Sequence, residues 1–473
     1  MLNSLFENGV SFDRAYTPCP VCIPARFSMH TGQMPHRLGC FYNQTTTNDE
    51  TSFMEILSAH GYQTHGTGKM HFRQKDRPID TLWGFERRDV SEGPIGMNRY
   101  KNHLIDQGYS HVSEPLGLKS EMYYIPQPSQ LPERLHHTTW VADKSIEFLE
   151  QRDKSRPFLL MASFVKPHPP FETPTPWNKL YRGPEMTLPK RPDDSDNLIT
   201  FWNRFQNRYK YRDQGIDDNL MRQIKAAYYS SISFIDYNLG KLIGFMKQKG
   251  LTENTLIVFT SDHGEMLGDY NCVGKRNFLD ASARIPMLVS HPDLPKGKRC
   301  STPVNLVDVL PTFLDFAGIR LDEDYSGDSL IGILNGDLER DITFGQYHED
   351  EYAMYMAVTE DYKYIYSAPD QKEWFFDLKN DSEETRNRAF NPMYVGQKEK
   401  MRRQLMDYLR NDGYSSPFDG DKWKKGEVKT LPDDPDAYLL FQDEPESIPK
   451  IPGYERDILG AQIRTNKPFE MGF

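Results

Sequence analysis

The sequence predicts an α/β protein with a large, mostly parallel, doubly wound sheet and a smaller C-terminal antiparallel α+β subdomain. Two uninterrupted apolar runs of strand length, Pro157–Val165 and Thr255–Thr260, are typical of strands covered on both faces. Between them, apolar residues recur every three or four positions from Leu220 to Met246, which indicates a long amphipathic helix. Strands that alternate with helices favour a parallel sheet. Beyond about residue 340 the pattern changes to short alternating strands, which predicts the antiparallel part.

Chain length and composition favour a three-part organisation. A chain of 473 residues is long enough for one large α/β domain and a smaller one. We expect the α/β domain over residues 1–340, the antiparallel subdomain over 341–412 and a tail over 413–473. Because the tail is rich in Pro, Asp and Lys and has few periodic apolar positions, we expect it to wrap the surface or to form a homo-oligomer contact.

Charge and cysteine content exclude several classes of protein. A net charge of −11 argues against a nucleic-acid or anionic-membrane binder, because those surfaces require net positive patches. The longest apolar runs are far too short to span a bilayer, and five cysteines do not make a disulfide framework. We read no secretory signal at the start, so the sequence indicates no cellular location. An anionic substrate would have to be drawn by a local cluster of cationic side chains and metal.

The segment from Thr17 to Gly32 contains Cys22, Pro24 and Arg26. Proline is tolerated in the first turn of a helix, so Cys22 is expected at or just before a helix N-terminus. Unpaired N–H groups and the positive end of the helix dipole favour an anion there. Arg26, one turn further on, adds a permanent positive charge on the same side. A nucleophile beside anion-attracting groups suits attack on an oxyanion ester.

Cys22 also has other interpretations. Cys19 and Cys22 form a C-x-x-C pair, which occurs in redox sites and as half of a zinc site. No second C-x-x-C follows, since Cys40, Cys272 and Cys300 are scattered along the chain. A purely structural cysteine is a further alternative.

Cationic side chains follow two of the predicted strands. The strand Tyr62–Gly68 is followed by Lys69 and His71, which we expect on one face because alternate strand residues share a face. Lys166 and His168 follow the strand that ends at about residue 165, in a loop stiffened by three prolines. The C-terminal edge of a parallel sheet is where α/β enzymes collect their site residues. Taken alone, these residues are also compatible with a solvated lysine, a structural histidine and a rigid exit from the strand.

Asp262 and His263 follow the strand that ends at Thr260. A carboxylate and an imidazole side by side suit a divalent cation, and Gly264 lets the backbone turn sharply. An N-cap role for Asp262 is the alternative. Lys275 follows in a short loop and is a further candidate cation.

The rest of the chain is interpreted as scaffold and loops. Residues 72–130 and 172–215 lack sustained periodicity and are predicted as loops; the second is rich in aromatic residues and is either a sugar-facing lid or a loop packed on the core. One further helix is predicted to end near Gly9, and Glu55–His60 is predicted to form the end of another. Three more helices are predicted over Leu131–Arg152, Asn305–Ala317 and Val395–Arg410. Further strands are predicted over Arg284–Val289, Thr343–His348, Ala353–Thr359, Tyr362–Ser367 and Trp374–Asp377.

The Cys22-x-Pro24-x-Arg26 pattern, with Thr31-Gly32 behind it, resembles the signature of the type I sulfatases of the alkaline phosphatase-like superfamily. The later motifs appear in the family's order, and the resemblance covers most of residues 1–345. It implies an alkaline phosphatase-like fold and hydrolysis of a sulfate monoester. It also implies a divalent ion, Ca²⁺ or alternatively Mn²⁺ or Mg²⁺, and oxidation of the cysteine to formylglycine by a maturation enzyme.

The resemblance further implies roles for the residues at the strand ends. The hydrated formylglycine would attack sulfur, His168 would give a proton to the departing alcohol, and His71 would help the second hydroxyl to expel sulfate. Arg26 would help to balance charge on the transferred group. The implied catalytic residues are Cys22, Arg26, Lys69, His71, His168 and Lys275; the substrate-binding residues are Lys69, Lys166, His168 and Lys275; the metal ligands are Asp262, His263 and Cys22.

Two departures from the family pattern leave alternatives open. The second metal ligand is commonly Asn in the family, whereas His263 stands here, as in the related phosphonate monoester hydrolases. The family's first strand, which ends in a pair of metal-binding aspartates, is not found before the first helix, which we expect to reflect a trimmed or misassigned start rather than a defective relative.

The substrate is expected to be a sulfated small molecule or sugar, with a sugar favoured because aromatic rings stack on sugar faces. A phosphonate or phosphodiester hydrolase, a non-catalytic sulfatase relative and a thiol-redox protein are the alternatives.

Overall fold

The computed structural model describes residues 1–43, 50–72, 81–92, 98–119, 123–211 and 216–433. Helices α1–α13 span Leu2–Glu7, Cys22–Thr31, Pro35–Leu38, Phe53–Ala59, Arg99–Asp106, His137–Gln151, Ser195–Leu198, Phe201–Tyr211, Asp218–Gln248, Asp280–Ala283, Val309–Ala317, Leu330–Asn335 and Val395–Asn411. Strands β1–β17 span Gly9–Phe12, Ala15–Tyr16, Gln63–Gly68, Arg87–Val90, Gln127–Pro128, Phe158–Ser163, Glu172–Thr173, Ile257–Thr260, Met287–Ser290, Lys298–Cys300, Val304–Asn305, Ile342–Tyr347, Met354–Thr359, Tyr362–Ser367, Lys372–Asp377, Phe418–Asp419 and Lys422–Trp423.

The central part of the fold contains two sheet segments. Strands β4, β3 and β6 lie side by side in that order and are parallel. Strands β10, β1, β9 and β8 form the second segment, in which β1 and β10 are parallel and β9 is antiparallel to both of its neighbours. The predicted α/β class is therefore confirmed, with β9 as an antiparallel member.

Strands β6 and β8 border a large cavity. Within the described ranges β6 pairs with β3 and β8 pairs with β9, and both strands line a cavity of about 1300 Å³ along their whole length. The walls also include Leu242 and Met246 of α9, Leu57 of α4 and Phe313 of α11. The two apolar runs that predict fully covered strands are therefore only partly buried in the structure.

The carboxyl ends of β3, β6 and β8 meet around the guanidinium group of Arg26. Its Nη1 donates to the carbonyl of Lys69 at 2.8 Å and to Ser163 Oγ at 3.1 Å, and its Nε donates to Asp262 Oδ2 at 2.8 Å. These three partners lie at or just beyond the ends of three different strands. The fold thus brings together the segments in which the site residues were predicted.

The predicted helices are present, although α6 begins six residues later and α11 four residues later than predicted. Helix α9 is 31 residues long, and Asp217 caps it by accepting from the backbone N–H groups of Asn219 and Leu220. Helix α4 begins with a capping box formed by Ser52 and Glu55. None of the helices in the described part of the chain is both long and apolar enough to cross a membrane.

Two regions predicted as loops contain regular structure. Helices α7 and α8 lie within residues 172–215, and the α8 residues Trp202 and Phe205 are buried, with Trp202 packing edge-on against Tyr347 of β12. Of the two alternatives for this region, packing on the core is therefore the one observed for these two residues. Strand β4 and helix α5 lie within residues 72–130, of which 73–80, 93–97 and 120–122 fall outside the described residues.

The C-terminal sheet has the antiparallel order β12-β13-β14-β15. One face packs on α13 through a cluster that contains Tyr355, Phe375, Met401 and Leu405. The other face packs on the α/β part, since Trp374 clusters with the side chains of α8. The four predicted strands are thus present, whereas the three-part domain division stays a prediction and residues 434–473 lie outside the described chain.

Candidate active site

Cys22 is the first residue of helix α2, as its spacing to Pro24 predicts. Val21 before it is extended, and the helix ends at Gly32, which adopts the left-handed conformation with φ of 66°. Only 2% of Cys22 is exposed. The thiol therefore lies at the positive end of the helix dipole, in a place shielded from solvent.

The sulfur of Cys22 contacts a lysine ammonium nitrogen and a histidine ring nitrogen. Lys275 Nζ lies 2.9 Å from Sγ, and His263 Nε2 lies 3.2 Å from it. Burial acts to raise the pKa of the thiol, but Lys275, His263 and Lys69 outweigh it, so that the pKa lies well below its ordinary value. The surroundings of Cys22 therefore favour a negatively charged group at this position.

Cys19, the partner in the C-x-x-C pair, differs from Cys22 in its surroundings. Its Sγ lies 3.7 Å from the carbonyl oxygen of Phe41, and burial raises its pKa well above the ordinary value. Both cysteines are free thiols in the structure. A buried thiol of raised pKa is a poor reactant for disulfide exchange, which counts against the redox alternative.

Arg26 lies where the sequence predicts it, but its charge is already paired. Its guanidinium forms an ion pair of 2.8 Å with Asp262 and is 8% exposed as a residue. Burial acts to raise the pKa of Asp262, but Arg26 and His263 hold it below its ordinary value, so the carboxylate is charged at neutral pH. Arg26 therefore braces the strand ends, and its catalytic role stays a prediction.

Lys69 and His71 do not share a strand face, contrary to the prediction. Strand β3 ends at Gly68, whose φ is +91°, so the alternation of side chains stops before Lys69. The backbone N–H of His71 donates to Glu92 Oε1 at 2.9 Å, and its Nδ1 is buried without a hydrogen-bond partner among the described residues. His71 thus contacts Glu92, whereas Lys69 is close enough to Cys22 for its charge to lower the pKa of the thiol.

His168 faces Cys22 as a neutral imidazole. Burial and the charge of Lys69 lower its pKa to about 3. Its Nδ1 lies 2.6 Å from the carbonyl oxygen of Pro169, so this nitrogen carries the ring proton and the lone pair of Nε2 remains as an acceptor.

Lys166 is buried, and its ammonium group is used within the protein. Its Nζ lies 2.9 Å from Glu172 and donates to the carbonyl oxygens of Leu116 at 2.9 Å and Pro170 at 2.6 Å. Glu172 also lies 3.0 Å from His136. Because an ammonium group has three donors, this arrangement leaves none of them directed at a sulfate.

Among the described residues, Asp262, His263 and Cys22 form a group that could hold a metal ion. One ligand atom from each lies within 4.8 Å of the other two. A carboxylate oxygen, an imidazole nitrogen and a sulfur or its oxidised replacement suit a divalent ion. Ca²⁺ takes six to eight oxygen ligands, which these three side chains do not supply by themselves. The three side chains would therefore form part of the ligand set of a divalent ion, and the identity of that ion stays a prediction.

A match to a known family decides the identity of the chain. The family model described as Sulfatase matches residues 1–319, which is more than half of the chain. The chain belongs to the sulfatase family. A second model, N-sulphoglucosamine sulphohydrolase C-terminal, matches residues 268–411 and covers the antiparallel sheet and α13.

Proteins with related sequences include sulfatases with different named substrates. An arylsulfatase of Clostridium perfringens is 31% identical, over 91% of this chain and 93% of its own. An N-acetylglucosamine-6-O-sulfatase of Bacteroides thetaiotaomicron is 25% identical, over 86% of this chain and 80% of its own. The crystal structure of the phosphonate monoester hydrolase of Agrobacterium radiobacter superposes with a TM-score of 0.73 at 21% identity, covering 87% of this chain and 90% of that one, which shows that the alkaline phosphatase-like fold is shared.

Two site residues of this sulfatase were missed in the sequence. Glu265 accepts from the backbone N–H of Gly274, and its Oε2 accepts from Tyr124 Oη at 3.2 Å, so it closes the loop that carries Lys275. Gln206 of α8 is 3% exposed and lines the same cavity as Lys275. Glu265 stands within a segment that already suggests a metal site, whereas no local pattern marks Gln206.

Proposed function

We propose that this sulfatase hydrolyses a sulfate monoester carried by a carbohydrate, with oxidised Cys22 as the nucleophile and a divalent ion beside it. The observation that supports this most directly is the contact of Cys22 with Lys275 and His263 at 2.9 and 3.2 Å, at the N-terminus of α2. Membership of the sulfatase family makes the chain a hydrolase of sulfate esters, and this geometry supports residue 22 as the reacting residue.

The charges around Cys22 suit a bound sulfate. Lys275 and Lys69 are 7% and 8% exposed, and Cys22 lies at the positive end of the α2 dipole. The charge of Arg26 is balanced by Asp262. Lys69 and Lys275 are therefore the cations available to offset the charge of the transferred group, since electrostatic stabilisation is strong where water is excluded.

The chemistry of residue 22 depends on its oxidation. Hydrated formylglycine supplies one hydroxyl to attack sulfur and a second hydroxyl with which sulfate can be released, an exit that a plain thiol lacks. Asp262 and His263 would hold the divalent ion, which would lower the pKa of the attacking hydroxyl. We further propose that a maturation enzyme carries out the oxidation of Cys22.

His168 is placed to move a proton. Its Nε2 is free to accept because Nδ1 donates to Pro169, and its low pKa keeps the ring neutral before substrate binds. We propose that Nε2 takes up a proton from solvent when the anionic ester binds and then gives it to the oxygen of the departing alcohol. This order makes His168 a base before it becomes the expected proton donor.

Three observations support a carbohydrate ester as the substrate. One of the related proteins is an N-acetylglucosamine-6-O-sulfatase, and the C-terminal match is to the N-sulphoglucosamine sulphohydrolase model. Tyr123 lies edge-on to His168 in the cavity beside Lys69 and Lys275, where a ring could pack against a sugar face.

To test this proposal, the chain is produced together with a formylglycine-generating enzyme and its activity is measured. We expect hydrolysis of sulfated monosaccharides, formylglycine at position 22 by mass spectrometry, and loss of turnover in Cys22→Ala with an unchanged unfolding temperature. Near-normal turnover in that variant would overturn the proposal.

A phosphonate monoester hydrolase is the second candidate. His263 stands where sulfatases commonly have Asn, and a phosphonate monoester hydrolase shares the fold. Comparing kcat/KM for 4-nitrophenyl sulfate and for 4-nitrophenyl phenylphosphonate separates the two candidates, because each predicts the larger value for its own ester.

A further inference from the structure

We propose that Gln206 determines substrate specificity by accepting a hydrogen bond from a hydroxyl or amide N–H of the group that leaves with the ester oxygen. This inference rests on the proposed function and makes it more specific. The substrate class that it indicates is a sulfated sugar with a free hydroxyl or acylamino group near the sulfate.

The side-chain carboxamide of Gln206 lies beside the loop that carries Lys275. It packs against Gly274, whose φ is +79°; a Cβ at that glycine would lie 2.6 Å from Gln206 Cδ. The next residue is Lys275, whose Nζ contacts Cys22. The close approach of the carboxamide to the backbone therefore places it beside the cation that touches the nucleophile position.

Helix α8 holds Gln206 firmly in this position. The neighbouring Asn207 donates from Nδ2 to the carbonyl of Asn271 at 3.0 Å and accepts from the N–H of Val273 at 3.2 Å. One turn earlier, Trp202 donates from Nε1 to the carbonyl of Tyr352 at 3.0 Å. A group fixed in this way loses little conformational freedom when it binds a ligand.

The carbonyl oxygen of Gln206 lacks a hydrogen-bond donor in the part of the chain that the structure describes. Its Oε1 is buried and has no hydrogen-bond partner among the described residues, although the side chain lines the cavity with Lys69, His168 and Lys275. Buried acceptors are normally paired, so the missing partner points to a ligand. The ammonium group of Lys275 is directed at Cys22 and His263 instead.

The chemistry of the missing partner separates the classes of sulfate ester. Sulfate oxygens only accept hydrogen bonds, so the sulfate itself cannot pair with Oε1. An unsubstituted aryl ring and a trimethylammonium group carry no suitable donor either. Sugar hydroxyls and acylamino N–H groups do, and a site built to bind such a donor discriminates strongly against analogues that lack it.

The experiment compares Gln206→Met with the unsubstituted protein, both carrying oxidised residue 22. Methionine has a similar length and no acceptor comparable to a carbonyl. We measure kcat/KM for a panel of sulfated monosaccharides (glucose 6-sulfate, galactose 6-sulfate and N-acetylglucosamine 6-sulfate) and for 4-nitrophenyl sulfate. The ratio of the best sugar to the aryl ester is expected to fall about tenfold or more, as when one hydrogen bond to a substrate is lost.

Asn207→Ala is the matched control, because it loosens the attachment of α8 to the same loop without removing the carboxamide. It should lower both kcat/KM values together and leave their ratio within about twofold. The inference is overturned if Gln206→Met leaves the ratio unchanged, or if Asn207→Ala changes the ratio as much as Gln206→Met does.

A binding measurement separates this inference from the proposed function. In a Cys22→Ala background, calorimetric titration with the same sugar sulfates needs no turnover. We expect the Kd of the tightest sugar to rise about tenfold with Gln206→Met, whatever the chain hydrolyses. If none of the panel binds more weakly to that variant, Gln206 has no role in specificity even when the sulfatase activity is present.

Discussion

Lys275 Nζ lies 2.9 Å from Cys22 Sγ and 2.9 Å from His263 Nε2, so a single ammonium group joins the nucleophile position to the candidate metal ligand. Lys275 is 7% exposed, which shields this contact from solvent. Its charge is the largest of the effects that oppose burial and lower the pKa of the Cys22 thiol. The contact therefore has consequences that can be measured before the cysteine is oxidised.

Replacing Lys275 with Met should raise the pKa of Cys22 in the unoxidised, metal-free protein. The thiolate loses its nearest cation, while burial, which favours the neutral thiol, remains. A rise of one pKa unit lowers the thiolate fraction about tenfold at a pH below the pKa, so alkylation by iodoacetamide should slow by about that factor or more. The rate is followed by mass spectrometry across a pH series. Lys298→Met, an exposed change on β10, should leave the profile as it is.

Replacing Arg26 with Lys should lower both stability and activity. An ammonium group cannot span Asp262, Ser163 and the carbonyl of Lys69 as the guanidinium does, so the ends of three strands lose a common partner. Breaking a buried pair costs about 3 kcal/mol when one charge loses its partner. Chemical denaturation gives the free energy of unfolding. Ser163→Ala removes one of the three bonds and should cost much less; equal losses in the two variants would contradict a bridging role for Arg26.

Replacing Asp262 with Asn should reduce metal content and activity together. The carboxylate is charged at neutral pH because its pKa is held below the ordinary value, and an amide is a weaker ligand for a divalent ion. Metal bound per chain is measured by mass spectrometry after dialysis. Asp293→Asn, at a well-exposed carboxylate, serves as the control. An unchanged metal content in Asp262→Asn would remove this residue from the ligand set.

The protein should become less stable as the pH falls from about 6.5 towards 3, because His137 is held neutral in the folded state. Burial, with the charges of His136 and Lys166, lowers the pKa of His137 from 6.5 to about 3 in the folded state. Between these values the unfolded chain binds the proton and the folded chain does not, so acidification favours unfolding. Urea denaturation of His137→Gln should show a weaker loss of stability from pH 7 to pH 5 than the unsubstituted protein. The same change at the exposed His60 should leave the loss unaltered.

Backbone amides of β6 and β8 should exchange with solvent faster than those of β3. Strand β3 is paired on both sides, whereas β6 and β8 are each paired on one side within the described chain and line the 1300 Å³ cavity. Unpaired amides lack the protection of a ladder. Hydrogen exchange followed by mass spectrometry compares peptides from these strands, with β13 as a second strand paired on both sides. Full protection of both β6 and β8 would mean that another polypeptide segment pairs with them.

Much of the fold follows from local pattern. The apolar runs, the repeat of α9 and the alternation beyond residue 340 correspond to β6, β8, α9 and the C-terminal sheet, because these periods reflect which faces are buried. Helix α8 was missed because polar residues interrupt its apolar face, which is recognisable only against β12 and β13. The antiparallel direction of β9 was missed because periodicity carries no information on strand direction.

The sequence by itself determined that Cys22 begins a helix and that Lys69, His168, Asp262 and Lys275 follow elements that lead towards it, because proline, glycine and apolar spacing act over a few residues. Only the tertiary structure decided which of the cations contact the sulfur. Lys275 does so because the loop closed by Glu265 turns it inward, whereas Lys166 is bound by Glu172. Such choices depend on partners far apart in the chain, whose distances no local spacing specifies.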